Sequence, residues 1–268
     1  MTDFDDDLAL ALRLADAADA VSLARFRAMD LVVETKPDRT PVTDADRAVE
    51  RAIRDLLAAE RPDDTVLGEE YGGDAAPGRQ WILDPIDGTT NFLRGQPVWG
   101  TLIALAVDGR PVVGVVSAPM LHRRWWAALG SGAWAASPGE QPQRLHVSSV
   151  REIPDAYISF NALQFWDAAG WTERLLALVR RAWRDRALGD FWSYMLVAEG
   201  ALDLAGEHDV KVYDVAALMP VVTEAGGRFT DLDGADEAPW RSTTLATNGL
   251  LHAEALEILH SHPVAPTR

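Results

Sequence analysis

Cysteine is absent from the 268-residue chain, and that one gap excludes disulfides, thiolate nucleophiles, iron–sulfur clusters and cysteine zinc sites together. The six histidines form no His-x-x-x-His or His-Glu-x-x-His pair, so zinc lacks a helical ligand pair as well. Long apolar runs are missing: the longest, Val98–Val107, covers about half of a membrane span. Positive charge is scarce. Forty-one acids against 25 Lys and Arg leave a net charge of −16, a field that repels phosphate backbones and argues against nucleic acid as a partner. The first residues carry Asp3, Asp5, Asp6 and Asp7 where a signal peptide would carry basic residues. A soluble, cytoplasmic protein is the expectation.

What is present suffices for a sizeable core. Hydrophobic residues make up 48% and charged residues 25%, over a length that suits one large domain or two modest ones. Leu8, Ala11, Leu12, Ala15 and Ala18 share one side of a helix expected over Asp7–Met29, and Val49, Ile53, Leu56 and Leu57 mark a second over Asp44–Glu60. Lys36-Pro37-Asp38 and Thr40-Pro41 between them are loop chemistry. From Trp81 the period becomes that of strands. Val98–Val107 and Val112–Ser117 meet through Asp108-Gly109, a hairpin signal, and Arg124–Leu129 follows as a third strand. Further on, strands expected at Ala156–Asn161, Arg184–Leu188, Ala201–Ala205, Arg228–Thr230 and Thr244–Thr247 alternate with helices at Thr172–Ala182, Phe191–Glu199, Asp214–Ala225 and Leu251–His260. The first half therefore reads as α+β and the second as α/β, with a soft boundary in the Pro- and Gly-containing stretch near residues 140–155. The expected division is an N-terminal half, 1–150, and a C-terminal half, 151–268.

The informative residues are acids at the ends of elements. Gly68-Glu69-Glu70 ends one apolar approach, and Trp81-Ile82-Leu83-Asp84-Pro85-Ile86-Asp87-Gly88-Thr89 follows. Asp84 is expected where a buried strand stops, because Pro85 forbids its simple continuation. A turn would then bring Asp87 back toward Asp84. Gly88-Thr89-Thr90-Asn91 looks like a helix N-terminus or tight turn, whose free N–H groups favour an anion. Carboxylates beside an anion site make electrostatic sense only with cations between them. Oxygen ligands without His or Cys point to Mg²⁺, and the chemistry that needs such a site is phosphoryl transfer to water.

The run Asp84-Pro85-Ile86-Asp87-Gly88-Thr89-Thr90-Asn91-Phe92 resembles the signature of the inositol monophosphatase family. The likeness extends to Pro41-Val42-Thr43-Asp44-Ala45-Asp46, to Gly68-Glu69-Glu70, to Tyr213-Asp214-Val215-Ala216-Ala217 and to Glu224-Ala225-Gly226-Gly227, in the family's order. What the resemblance implies is a layered αβαβα sandwich carrying a magnesium-dependent phosphatase, usually a homodimer. Glu69, Asp84 and the carbonyl of Ile86 would bind a first metal and Asp84, Asp87 and Asp214 a second. Glu69 would also lean on a weaker third, giving two to three Mg²⁺ per site. Thr89 and Asp46 would orient the attacking water, with Glu69 beside them, and the N–H groups of Gly88 and Thr89 would hold the phosphate. No phosphoenzyme forms in this family. Thr43 and Asp46 also read as an N-capping pair, and Asp214 as the N-cap of its helix. Tyr213 stands where the family usually has Trp. Phe229-Thr230-Asp231-Leu232-Asp233-Gly234 imitates another phosphatase motif but reads as a surface turn.

Other residues must select the alcohol. Positions that face substrate in the family, beside Asp87, match Gly189, Asp190, Phe191 and Glu207. In inositol phosphatases the second of these is usually small and neutral. Asp190 there, with Glu207, favours a cationic alcohol over a polyol. Arg123-Arg124-Trp125-Trp126-Ala127-Ala128, Gly189-Asp190-Phe191 and Thr247-Asn248-Gly249-Leu250-Leu251-His252 look like the actinobacterial histidinol-phosphatase branch of the family. Hydrolysis of L-histidinol phosphate is the expected reaction. An inositol-1-phosphate or related polyol or nucleotide phosphatase is the alternative, and a non-catalytic protein-binding member of the fold a distant third. Asp190 as a plain helix N-cap is the structural alternative for that position.

Overall fold

The computed structural model describes residues 4–36, 40–236 and 238–261. The loop expected at Pro37-Asp38 and the acidic Asp3 lie outside these residues.

The chain opens with α1 (Asp5–Arg25), the short hairpin β1 (Val33–Thr35) and β2 (Pro41–Thr43), and α2 (Asp44–Glu60). Leu10, Ala11, Leu14, Ala15 and Ala18 of α1 and Val49, Ile53 and Leu57 of α2 are buried at helical spacing. They cover one face of a seven-stranded sheet at Trp81, Leu83, Ile103 and Leu105. Its strands are β3 (Thr65–Gly68), β4 (Arg79–Asp87) and, after the one-turn α3 (Thr89–Leu93), β5 (Gly100–Val107), β6 (Arg110–Ala118), β7 (Arg123–Ala128), β8 (Ala133–Ala136) and β9 (Gln143–Arg144). Spatial order follows chain order, and every pair except β3–β4 is antiparallel. Asp108 and Gly109 between β5 and β6 both have positive φ, 49° and 81°, which a two-residue hairpin turn demands.

The second half contributes β10 (Tyr157–Phe160), α4 (Leu163–Ala168), α5 (Thr172–Val179), β11 (Arg184–Arg186), α6 (Asp190–Ala198), β12 (Leu204–His208), α7 (Val212–Val215), α8 (Leu218–Glu224), β13 (Arg228–Thr230), β14 (Thr243–Thr247) and α9 (His252–His260). Its strands form a five-stranded mixed sheet in the order β11-β10-β12-β14-β13. α6 and α8 lie between the two sheets: Tyr194 and Val221 share one core with Leu102, Val116 and Trp125 of the first and Ala205, Phe229 and Ala246 of the second. Gly114 permits that approach, since a Cβ there would lie 2.1 Å from the carbonyl oxygen of Ala217. α5 and α9 cover the outer face through Leu175, Leu178, Ile258 and Leu259. The result is the five-layer αβαβα sandwich.

Several sequence expectations change here. β4 does not stop at Asp84 but continues to Asp87 through an irregularity opposite β5. β12 begins at Leu204 rather than Ala201, which brings Glu207 into the strand. The helix expected over Asp214–Ala225 is broken into α7 and α8, and Asp214 is the third residue of α7, not its cap. Gly189, not Asp190, is the N-cap of α6. Trp125 and Trp126 lie on opposite faces, yet neither faces open solvent, because helices cover both sides of the sheet. Asp231 is buried, and its carboxylate accepts the N–H groups of Asp233 and Ala235 inside its own turn.

Candidate active site

The bulge in β4 builds the centre of the site. Asp84 pairs with Leu102 and Asp87 with Gly100, so three steps on β4 oppose two on β5. Alternation alone would put residues three apart on opposite faces of a strand; the extra residue restores Asp87 to the side of Asp84. Pro85 sits in that irregularity, where a missing N–H costs no ladder bond, and its carbonyl accepts the Thr101 hydroxyl at 2.8 Å.

Glu69 follows β3, its N–H bonded to Leu83 O at 3.1 Å. Glu50 of α2, 0% exposed, supports this turn by accepting the N–H groups of Glu70 (2.7 Å) and Tyr71 (3.3 Å) while paired with Arg54. Gly68 makes room for it: a Cβ there would lie 2.0 Å from Glu50 Oε1. Lys36 Nζ donates to Glu69 Oε1 at 2.7 Å and to Glu70 Oε1 at 2.6 Å. Burial pulls the Lys36 ammonium toward neutrality, but these two hydrogen bonds outweigh it and raise its pKa.

Asp46 caps α2 and also contacts Thr89. Its Oδ2 accepts the N–H and hydroxyl of Thr43, closing a capping box on α2, while Oδ1 stands 3.2 Å from Thr89 Oγ1. Thr89 Oγ1 is also 2.9 Å from Ile86 O, so its single proton serves one acceptor at a time. Burial raises the pKa of Asp46.

Asp84 is 2% exposed, and its Oδ1 has no hydrogen-bond partner among the described residues. Burial, then the charges of Glu69, Asp87, Asp214 and Asp46, push its pKa well up. Asp87 is raised in the same way by burial and by Asp190 and Asp214, although its Oδ2 accepts the N–H of Phe191 at 2.6 Å. Asp214, whose Oδ2 accepts the N–H of Lys211 at 2.7 Å, is lifted by burial to about 7.

Gly189 and Asp190 open α6 with φ values of 67° and 52°. Asp190 Oδ2 accepts an amide hydrogen from Asn91 at 3.2 Å, and burial raises this acid to about 6. Phe191 is buried, its ring 6.1 Å from that of Trp125. Glu207 is 5% exposed, one of its carboxylate oxygens has no partner among the described residues, and burial followed by Asp190 pushes its pKa well up. A cavity of about 500 Å³ runs along Asp87, Asp190, Glu207 and Asp214, with Asn161 and Phe165 on its wall. A second groove of about 490 Å³, beside Leu12, Trp126 and Pro138, is mostly apolar. Asp19 in that groove bonds Ser117 and Arg124 through one oxygen, whereas the acids that resemble the family's ligands line the first cavity.

The structure thus brings Glu69, Asp84, Asp87, Asp214, Asp46 and Thr89 near one another, and a cavity joins Asp190 and Glu207 to Asp87 and Asp214. Among the described residues no three acids or histidines converge to enclose an ion, and Lys36 stands on Glu69 and Glu70. The donor set still fits a hard divalent cation: it is all oxygen, and the unpartnered buried oxygen of Asp84 among four other acids lacks the positive charge that would satisfy it. Lys36, Glu50 and Asn91 went unassigned at the sequence level. Glu50 had one signal, an acid on the apolar face of an amphipathic helix.

The model of the inositol monophosphatase family matches residues 3–263. The chain belongs to that family, and with it to the phosphoric monoester hydrolases. It is similar to a histidinol-phosphatase of Mycobacterium tuberculosis, 58% identical over 257 residues that cover 96% of this chain and 98% of the relative. A histidinol-phosphatase of Streptomyces coelicolor is 51% identical over 264 residues, 97% of this chain and 99% of the relative. Among solved structures, an inositol monophosphatase from Zymomonas mobilis superposes with a TM-score of 0.85 at 32% identity, covering 97% of this chain and 99% of that one.

Proposed function

We propose that the chain hydrolyses L-histidinol phosphate to L-histidinol and inorganic phosphate, with magnesium, in histidine biosynthesis. One observation carries this reading: a single cavity is lined by Asp87 and Asp214, two of the acids that would hold metal, and by Asp190 and Glu207, the two acids that would meet the alcohol. The two relatives above are named for the same reaction.

Glu69, Asp84, the Ile86 carbonyl, Asp87 and Asp214 would hold the metal ions, which when bound compensate the phosphate charge and acidify water. Thr89 Oγ1 accepts a hydrogen bond from the attacking water and passes its own proton toward Asp46, whose buried carboxylate is receptive. Water adds to phosphorus, the ester P–O bond breaks, and the alcohol oxygen leaves with a proton taken from solvent water, while Asp46 returns the proton it received to solvent. The N–H groups of Gly88 and Thr89 hold phosphate oxygens at the start of α3, whose first turn has no intrahelical acceptor for them. Asp190 and Glu207, with Gly189 on the wall, accept the N–H groups of the ammonium and imidazole end, and Phe191 contributes through its N–H, which fixes Asp87. The unpartnered oxygen of Glu207 is a vacant acceptor there. Residues 1–150 supply most of the metal-facing groups, and residues 151–268 supply Asp214 and the alcohol-facing ones. The reading includes a cytoplasmic homodimer; among the described residues no helix is long and apolar enough to cross a membrane.

Phosphate release with Mg²⁺ from L-histidinol phosphate and from myo-inositol 1-phosphate, side by side, tests this, with Asp84→Asn as control. Preference for the first, lost in the variant, is expected. Preference for the inositol ester would overturn the substrate and keep the metal site; no release from either would overturn both.

A further inference from the structure

Asn91 belongs to the segment that carries the phosphate turn, but its side chain reaches across to α6. Its amide nitrogen donates to Val98 O at 2.8 Å and to Asp190 Oδ2 at 3.2 Å, and an amide NH₂ has one hydrogen for each. Asp190 needs such a tether. Its backbone has φ 52°, a left-handed conformation that a non-glycine residue adopts at some cost, and the preceding Gly189 has φ 67°. The neighbouring tether, Phe191 N–H to Asp87 Oδ2 at 2.6 Å, fixes the backbone one residue further on. The packing leaves little slack: a Cβ on Gly88 would lie 3.1 Å from Val98 O and 3.4 Å from both Asn91 Nδ2 and Asp190 Oδ2.

We propose that Asn91 is a positioning residue for alcohol selection: by spending its two amide hydrogens on Val98 O and Asp190, it holds the Asp190 carboxylate at the cavity wall beside the phosphate turn. The inference rests on the histidinol-phosphate reading and deepens it. Asn91 acts through Asp190. With the amide gone, the carboxylate is free to rotate, and the cationic alcohol loses a fixed partner while a neutral alcohol loses nothing.

The test uses the full-length enzyme with saturating Mg²⁺, with steady-state kinetics on L-histidinol phosphate and on glycerol 2-phosphate, the ester of a neutral alcohol. Asn91→Ala, Asp190→Ala and the double variant are compared with the wild type, and thermal melting confirms that each folds. Asn91→Ala should raise KM for histidinol phosphate about tenfold, as expected for a lost hydrogen bond to a charged group. Its kcat, and both constants for glycerol 2-phosphate, should stay near wild type. In the Asp190→Ala background the same substitution should add nothing, because its partner is already absent. An equal fall on both esters, or a loss that persists undiminished without Asp190, would mean that Asn91 only braces the loop at Val98, and the inference fails alone. If Asn91→Ala does not fold, Asn91→Ser, still small and polar but too short to reach both acceptors, carries the same comparison. A wild-type enzyme without preference for histidinol phosphate overturns the substrate reading and this inference together.

Discussion

Two groups of buried acids meet at one cavity, which Asp87 and Asp214 of the first group share with Asp190 and Glu207, and both groups have raised pKa values in different surroundings. Asp84 is raised by burial and then by four neighbouring carboxylates, and one of its oxygens has no partner at all. Asp190 is raised chiefly by burial and moderated by the Asn91 amide, and it repels Asp87 and Glu207 in turn. The first environment can be relieved only by shared positive charge, which a divalent ion supplies. The second asks for a hydrogen-bond donor on a ligand. A raised carboxylate therefore does not identify a metal site by itself; the identity of its neighbours does.

The sharpest break between the groups comes from Asp84→Asn. Even residues that merely orient metal ligands cost about 10–100-fold when lost, so removing a ligand should cut phosphate release more than roughly a hundredfold on every ester. Without divalent ions the same variant should melt higher than wild type, because an uncompensated buried charge disappears. Added Mg²⁺ should then stabilise the wild type more than the variant. Activity that survives, or a lower melting temperature without metal, would remove Asp84 from the metal-facing group.

Asp190→Asn should act on one substrate. Truncating a buried charge partner costs about 2 kcal/mol or more, which corresponds to a loss of roughly thirtyfold or more in kcat/KM for histidinol phosphate. Melting curves with and without Mg²⁺ should resemble the wild type. If esters of neutral alcohols fall by the same factor, Asp190 serves the metal-facing group instead, and the distinction between the two groups collapses.

A smaller effect is expected from Gly68→Ala. The metal-facing turn is supported through its backbone by Glu50, and the new Cβ would displace that carboxylate from 2.0 Å. A cost of about 1–3 kcal/mol in denaturant unfolding follows, with a higher Mg²⁺ requirement. Alcohol preference should not move, since no part of α6 touches Gly68 within that distance.

These supports explain what was legible before the structure. α2 was readable to its ends because Thr43 and Asp46 box its N-terminus and its apolar spacing is regular; the β5–β6 hairpin was readable from Asp108-Gly109. Both signals are local. The Asp84–Asp87 bulge was not readable, because Pro85 states only that a regular ladder fails and not whether the strand ends or steps aside. Asp46 both caps α2 and contacts Thr89, so the two readings of that acid do not exclude each other. Lys36, Glu50 and Asn91 act on partners 33, 20 and 99 positions away. No spacing rule reaches such pairs.

The smallest effect on activity concerns the opposite face of β12 and supplies the control for both acid groups. Glu207 and His208 are adjacent on that strand, so they face opposite sides: Glu207 the cavity, and His208 the outer layer, edge-on to Trp166 and Trp171 at 4.6 and 5.1 Å. His208 is 6% exposed and its Nε2 has no partner among the described residues. Burial disfavours its charged form and lowers its pKa from 6.5 to about 4. Between those values the unfolded chain binds more protons than the folded one, so stability falls as the pH drops from about 6.5 toward 4. His208→Phe removes that linkage and leaves no unpaired nitrogen behind. Denaturant unfolding at pH 7 should find the variant as stable as wild type or slightly more so. At pH 4.5 it should be ahead by about 2 kcal/mol. Phosphate release at pH 7 should be unaltered, because burial alone, with no ligand to answer it, makes a stability residue rather than a site. An unchanged acid limb would mean that His208 takes its proton while folded, and that water reaches the outer layer as it reaches the cavity.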